Sequence, residues 1–144
     1  MIEIKATQTA KKTLIWIGEA PRLHKKALRL ALNEVGSELV NLIANYIFNP
    51  PKTGRIYVFN GRPHQASAPG ESPANRTGRL AKSTDYKVRS YQEMVVGQSA
   101  FYARFLEYGT VKMKPRPAII RAVNAMRRNT ITAILTNIQD QIGK

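Results

Sequence analysis

The chain contains no cysteine in its 144 residues, which excludes a disulfide framework, a thiolate metal site and a cysteine nucleophile. Carboxylates are scarce. Nine Asp and Glu stand against 23 Lys and Arg, a formal charge of +14. The acids are scattered along the chain, so neither paired-carboxylate catalysis nor an acidic Mg²⁺ or Ca²⁺ site has support. Only two histidines are available as bases. His24, in "RLHKK", reads as a solvated side chain. His64, in "RPHQAS", has Ser67 nearby but no oxyanion-hole signature and no orienting acid. The stretch "APGESPANRTGR" lacks the Gly-Lys-Ser/Thr ending of a phosphate-cradling loop. No apolar run approaches the ~20 residues that span a bilayer. "TLIWIG" is too short for the apolar core of a secretory signal, so the Asn75-Arg76-Thr77 sequon is not expected to carry a glycan. No metal or cofactor is expected, and the cytoplasm is the default address.

What the chain has in excess is positive charge. Such a field favours polyanions: nucleic acid, an acidic protein face or anionic lipid. The basic residues gather in two places, one being Arg22, Lys25, Lys26 and Arg29 and the other the stretch 52–89. No zinc-finger spacing, aromatic RNA-binding strand or helix-turn-helix accompanies them, so phosphate attraction without base readout is the expectation.

The length fits one domain, 1–144. The alternation of "MIEIKATQ" predicts a short strand, and "TAKKTLIWIGEAP" is read as a short helix. Leu28, Leu32, Val35, Leu39, Leu42 and Tyr46 form one apolar stripe of a long helix over 22–48, opposite Lys26, Arg29, Asn33 and Ser37. Pro21 suits its start and Pro50-Pro51 its end. Residues 50–79 are dense in proline and glycine and lose all periodicity. They are expected to form an extended loop or arm in which only "IYVF" resembles a strand. Its cations Lys52, Arg55, Arg62, Arg76 and Arg79, with Lys82 just beyond, are candidates to face a partner or DNA.

"TDYKVRS" and "EMVVGQ" predict an antiparallel hairpin with Tyr86 and Val88 on one face. Ser99 is a candidate cap for a short helix through "AFYARFLEY", and Gly109 for its left-handed terminus. Pro117 is placed as the first residue of a last helix, 117–142. There Ile119, Ile120, Val123, Ile131, Ile134, Ile138 and Ile142 share a face, with Arg127 in its midst. The sum is an α+β fold. A small antiparallel sheet of three to five strands is covered on one face by the long N-terminal helix and the C-terminal helix, with a long Pro/Gly-rich loop.

"YARFLEYGTVKMKPRP", residues 102–117, is read as a structural joint. In that joint Tyr102, Phe105 and Leu106 hold the short helix on the sheet and Gly109 turns the chain. Pro115, Arg116 and Pro117 steer it into the last helix. Glu107 accepts from backbone amides at that helix start, or pairs with Arg116 or Arg127.

Two blocks resemble a family of tailed-bacteriophage proteins. The first, "HQASAPGESPANRTGRLAKS", carries Pro69, Gly70, Glu71, Thr77, Gly78, Arg79, Leu80 and Ser83 of the family pattern. The second, "VVGQSAFYARFLEYGTVKMKPRPAIIRAV", carries Tyr102, Ala103, Glu107, Gly109, Thr110, Pro115, Arg116 and Pro117. The likeness runs over about 22–140, and departs at Ala118-Ile119, where members often have Phe-Leu. The family comprises tail-completion or head–tail joining (neck) proteins, often described as minor tail components. The resemblance implies a non-enzymatic ring subunit, hexameric in the virion, that meets connector and tail-terminator proteins and borders the DNA conduit. The alternatives are a basic nucleic-acid-binding domain without catalysis and a metal-free ribonuclease of the toxin type.

Overall fold

The computed structural model describes residues 4–9, 12–17, 25–49, 52–127 and 136. The class is α+β with antiparallel sheets. Strands β1 (Ile4–Thr9) and β2 (Lys12–Ile17) pair antiparallel. Helix α1 follows over Lys25–Phe48, then β3 (Ile56–Phe59) and β4 (Arg62–Gln65). A single turn, α2 (Arg79–Lys82), leads to β5 (Thr84–Val88), β6 (Glu93–Gln98) and α3 (Ala103–Tyr108). A last helix, α4, occupies 119–127. Strand order in the larger sheet is β1-β2-β6-β5, while β3 and β4 pair only with each other.

Residues 12–17 overturn the expectation of a helix. Thr13, Leu14, Ile15, Trp16 and Ile17 are β-branched, aromatic or aliphatic residues suited to a pleated surface. Pairing on both sides, Ile15 with Ala6 and with Met94, decides the conformation. The β5–β6 hairpin is as expected, with Thr84 opposite Gln98 and Val88 opposite Met94.

Helix α1 buries Leu28, Ala31, Leu32, Val35, Leu39, Ile43 and Ile47, and keeps Lys26, Arg29, Asn33 and Ser37 in solvent. The stripe read from the sequence has a 3.5-residue repeat. A straight helix drifts ~20° per heptad from such a repeat. By its last two turns Ile43 and Ile47 have replaced Leu42 and Tyr46, which lie half-buried at the margin. Gly36 lets α1 approach β5, since a Cβ there would fall 2.2 Å from the ring of Tyr86. The Tyr86 hydroxyl and Ser37 Oγ lie within hydrogen-bond distance, 3.1 Å apart.

The core joins α1 to Met94 and Val96 of β6, Leu80 and Ala81 of α2, and Ala118, Ile119, Ala122, Val123 and Met126 at the start of α4. Ala118 and Ile119 are thus interior residues. Helix α4 begins after Pro117, not at it, and the Ala122 amide donates to the Ala118 carbonyl at 3.1 Å. Arg127 is exposed, because the buried side of α4 runs 119-122-123-126 and leaves position 127 outside it. Ile131, Ile134, Ile138 and Ile142 lie outside the described residues.

The 50–79 segment is not a loop with one strand. Asn60 and Gly61 adopt φ of 49° and 74°, the two positive values that a type I′ turn requires. That turn closes β3 onto β4, with Ile56 opposite Gln65 and Phe59 opposite Arg62. Pro63 is tolerated because β4 is an edge strand.

Candidate functional site

The joint forms where α3 meets the start of α4. Of the six residues in α3, Ala103 and Glu107 are buried, one helical turn apart on one face. Glu107 Oε2 accepts from the amides of Ala118 (2.9 Å) and Ile119 (3.2 Å), and Oε1 accepts from Ile120 (2.8 Å). These amides have no partner within their own helix, and a carboxylate satisfies them while complementing the positive end of the helix dipole. Glu107 is only 9% exposed, so little water competes for the same bonds.

Several backbone hydrogen bonds fix the chain between Glu107 and Ala118. The Gly109 amide donates to Phe105 at 2.9 Å, but Gly109 is not the expected left-handed cap. Its φ of 77° and ψ of −175° place it in a region open almost solely to glycine. A Cβ there would lie 2.6 Å from the Met113 carbonyl and 2.9 Å from Pro115. Thr110 and Met113 form an isolated bridge, and Thr110 Oγ1 accepts from the amides of Lys112 and Met113.

Two expectations for the joint fail. Ser99 does not cap α3; its amide and hydroxyl donate to the Ser83 carbonyl, and the helix begins four residues later. Phe105 does not hold α3 on the sheet. It is 38% exposed with the Arg104 guanidinium 4.6 Å above its ring, while Ala103, Tyr102 and Leu106 meet the core. The inward face of α3 is set by positions 103 and 107, and 105 lies away from it.

Arg116 does not pair with Glu107. Its amide donates to Leu106 at 2.7 Å and its Nε to the Ser67 carbonyl at 3.0 Å. The Gly70 amide donates to Pro115 (2.9 Å) and Ser72 Oγ to Pro117 (3.2 Å), while Arg121 donates to the Gly70 carbonyl. The joint is thereby sewn to the segment that returns from the β3–β4 hairpin.

The foot of that hairpin is closed by Glu71. Its carboxylate accepts from Thr53 Oγ1 (2.6 Å), the Thr53 amide (3.0 Å) and the Ala68 amide (2.7 Å). Those bonds, those of Thr53 above all, hold the Glu71 carboxyl at about 2, well below the usual carboxylate range. Lys52, a candidate to face a partner or DNA, turns its ammonium onto the chain itself. Its ammonium is half-buried and donates to the carbonyls of Tyr46 (2.7 Å) and Ser72 (3.0 Å). Burial pushes its pKa down, against the opposing pull of Glu71. Above this foot, Gly54 and Ala66 continue the hairpin with a 2.9 Å bond, and the Arg76 guanidinium lies 4.3 Å from the Phe59 ring.

Beyond the foot the hairpin is open to solvent, with Ile56 63% and Val58 73% exposed. Arg55, Arg62, Arg76, Arg79 and Lys82 are all exposed. Among the described residues no group of three His, Asp or Glu could hold a metal ion, and no helix is long and apolar enough to cross a membrane. The Glu71 latch and the type I′ turn were not read from the sequence. "NG" between "IYVF" and "RPHQ" was the available signal for the turn; nothing local marks Glu71 as an acceptor for Thr53.

Comparison with protein-family models, with curated proteins and with solved structures finds no match to this chain.

Proposed function

We propose that this chain is a non-enzymatic structural subunit of the tailed-phage head–tail junction, of the tail-completion or head–tail joining kind. In this reading it forms a ring, a hexamer, with copies of itself, meets connector and tail-terminator proteins, and borders the DNA conduit of the virion. It is made in the host cytoplasm. Its body is the β1-β2-β6-β5 sheet with α1 packed against β5 and β6, and the β3–β4 hairpin is the arm that meets its neighbours.

The observation that carries the reading is the meeting of the two blocks that resemble the family. Across 45 to 49 residues of chain, Ser67, Gly70 and Ser72 of the first bond Pro115, Arg116 and Pro117 of the second. The two blocks therefore act as one knot, and the knot fixes the root of an exposed hairpin whose β3 strand is apolar. A segment held rigid at its root loses little conformational entropy on docking, which suits an assembly subunit. A charge of +14 per copy suits a passage for DNA.

Deleting the corresponding cistron tests the proposal. Filled heads and separate tails should accumulate, and joined virions should return when the gene is supplied in trans. Normal virions after deletion would end it.

A second reading, a basic nucleic-acid-binding domain without catalysis, draws on the same charge and on the exposed Arg55, Arg62, Arg76 and Arg79. Salt-sensitive duplex binding by the isolated chain, with no defect in head–tail joining on deletion, would favour it.

A further inference from the structure

The underside of the β3–β4 hairpin faces a groove of about 630 Å³, within the size range of ligand sites. Four aromatic side chains border it. Tyr57 and His64 are cross-strand partners in the hairpin, their rings 5.2 Å apart and edge to face. Phe101 and Tyr102 come from the lead-in to α3 and form a second edge-to-face pair at 5.3 Å. Phe101 is 74% exposed. No packing role in the described residues accounts for so open a ring, because it lies outside the core that Tyr102 joins.

The charge around these rings has one sign. Among the described residues Arg76, Arg79 and Arg116 line the groove, and no Asp or Glu does. Arg116 is committed through Nε to the Ser67 carbonyl and contributes its field. Arg76 and Arg79 are exposed at the rim. Aromatic faces beside arginines, free of carboxylates, are the components of a stacking platform for unpaired bases. A duplex offers phosphates but keeps its bases stacked on one another. An acidic peptide would satisfy the arginines and leave the rings without π partners.

We propose that this groove binds single-stranded nucleic acid, with bases on Tyr57 and Phe101 and phosphates on Arg76 and Arg79. The inference goes beyond the head–tail joining role and does not depend on it.

The test is fluorescence anisotropy of 5′-labelled (dT)12 against the whole chain. Wild type should bind, and Tyr57→Ala and Phe101→Ala should each weaken binding by about tenfold, the scale of one lost stack. Arg79→Ala should lower the salt slope by about one phosphate contact. Val111→Ser, at an exposed residue that does not line the groove, should change nothing. Matching melting temperatures would show that the aromatic variants are folded. An abasic strand of equal length loses both stacks and should bind about a hundredfold more weakly. No binding by wild type, unchanged affinity in both aromatic variants, or equal binding of the abasic strand would overturn the proposal. So would tighter binding of a 12-base-pair duplex, or displacement of (dT)12 by a Glu-Phe repeat peptide at lower concentration, which would assign the groove to an acidic polypeptide. Loss of head–tail joining on gene deletion is read separately, so either proposal can fail alone.

Discussion

Glu107 Oε2 lies 2.9 Å from the amide nitrogen of Ala118, eleven residues further along the chain and at the mouth of the next helix. One side chain thus closes a loop and caps a helix that its own residues cannot cap, since Pro117 and Ala118 offer no side-chain acceptor. Glu107→Gln replaces one acceptor oxygen by an NH₂ that faces backbone donors. Leaving buried donors unsatisfied costs about 1–3 kcal/mol, and a chain of this size should lose roughly 2–4 °C of melting temperature per kcal/mol. Thermal unfolding followed by circular dichroism measures it. An unchanged melting temperature would remove the cap from the account.

Two glycines of positive φ should respond differently to the same change. At Gly61 a Cβ meets nothing within 4 Å, so Gly61→Ala should cost about 1–2 kcal/mol from backbone strain alone. At Gly109 the backbone region itself excludes alanine, and the new methyl would meet the Met113 carbonyl and Pro115. Gly109→Ala should therefore cost at least ~2–3 kcal/mol. Urea titration of both variants compares them, and equal losses would contradict the joint geometry.

Acid should loosen the hairpin's foot through Glu71. The folded carboxyl titrates at about 2 and the ordinary value is 4.5, so the unfolded chain binds the proton more readily. The latch is fully formed above about pH 4.5 and fades as pH falls towards 2. Wild type should be the more stable of the pair at pH 6, and its advantage over Glu71→Gln should shrink as pH falls from 4.5. Melting temperatures of both proteins across that range test the sign, and a gap that widened in acid would refute it.

The outer face of the hairpin should matter to assembly and not to folding. Val58 is mostly solvent-exposed, so Val58→Asp should shift stability by less than ~0.5 kcal/mol. If the arm docks through that face, the same variant should fail to restore joined virions to a deletion strain. Full restoration at wild-type titre would take the hairpin's outer face out of the assembly interface.

Much of the secondary structure could be read locally. The α1 stripe, the β5–β6 alternation and the need for glycine at 109 all follow from periodicity or backbone permissiveness. The misreadings share a cause. Residues 12–17 become strand through pairing with β1 and β6, and Phe105 faces solvent because the inward face of α3 centres on Ala103 and Glu107. Lys52 turns inward because two carbonyls and a carboxylate wait there, and none of them is near it in sequence except the helix end at Tyr46.

The sequence alone determined the charge, the absence of cysteine, and the positions where the chain can bend, because each is a property of single residues or short periods. Only the tertiary structure decided that Glu107 caps α4, that Glu71 closes the arm, and that two distant blocks form one knot. Those bonds join donors and acceptors from 3 to 49 residues apart, and which carbonyl or amide a side chain meets is settled by how the elements pack.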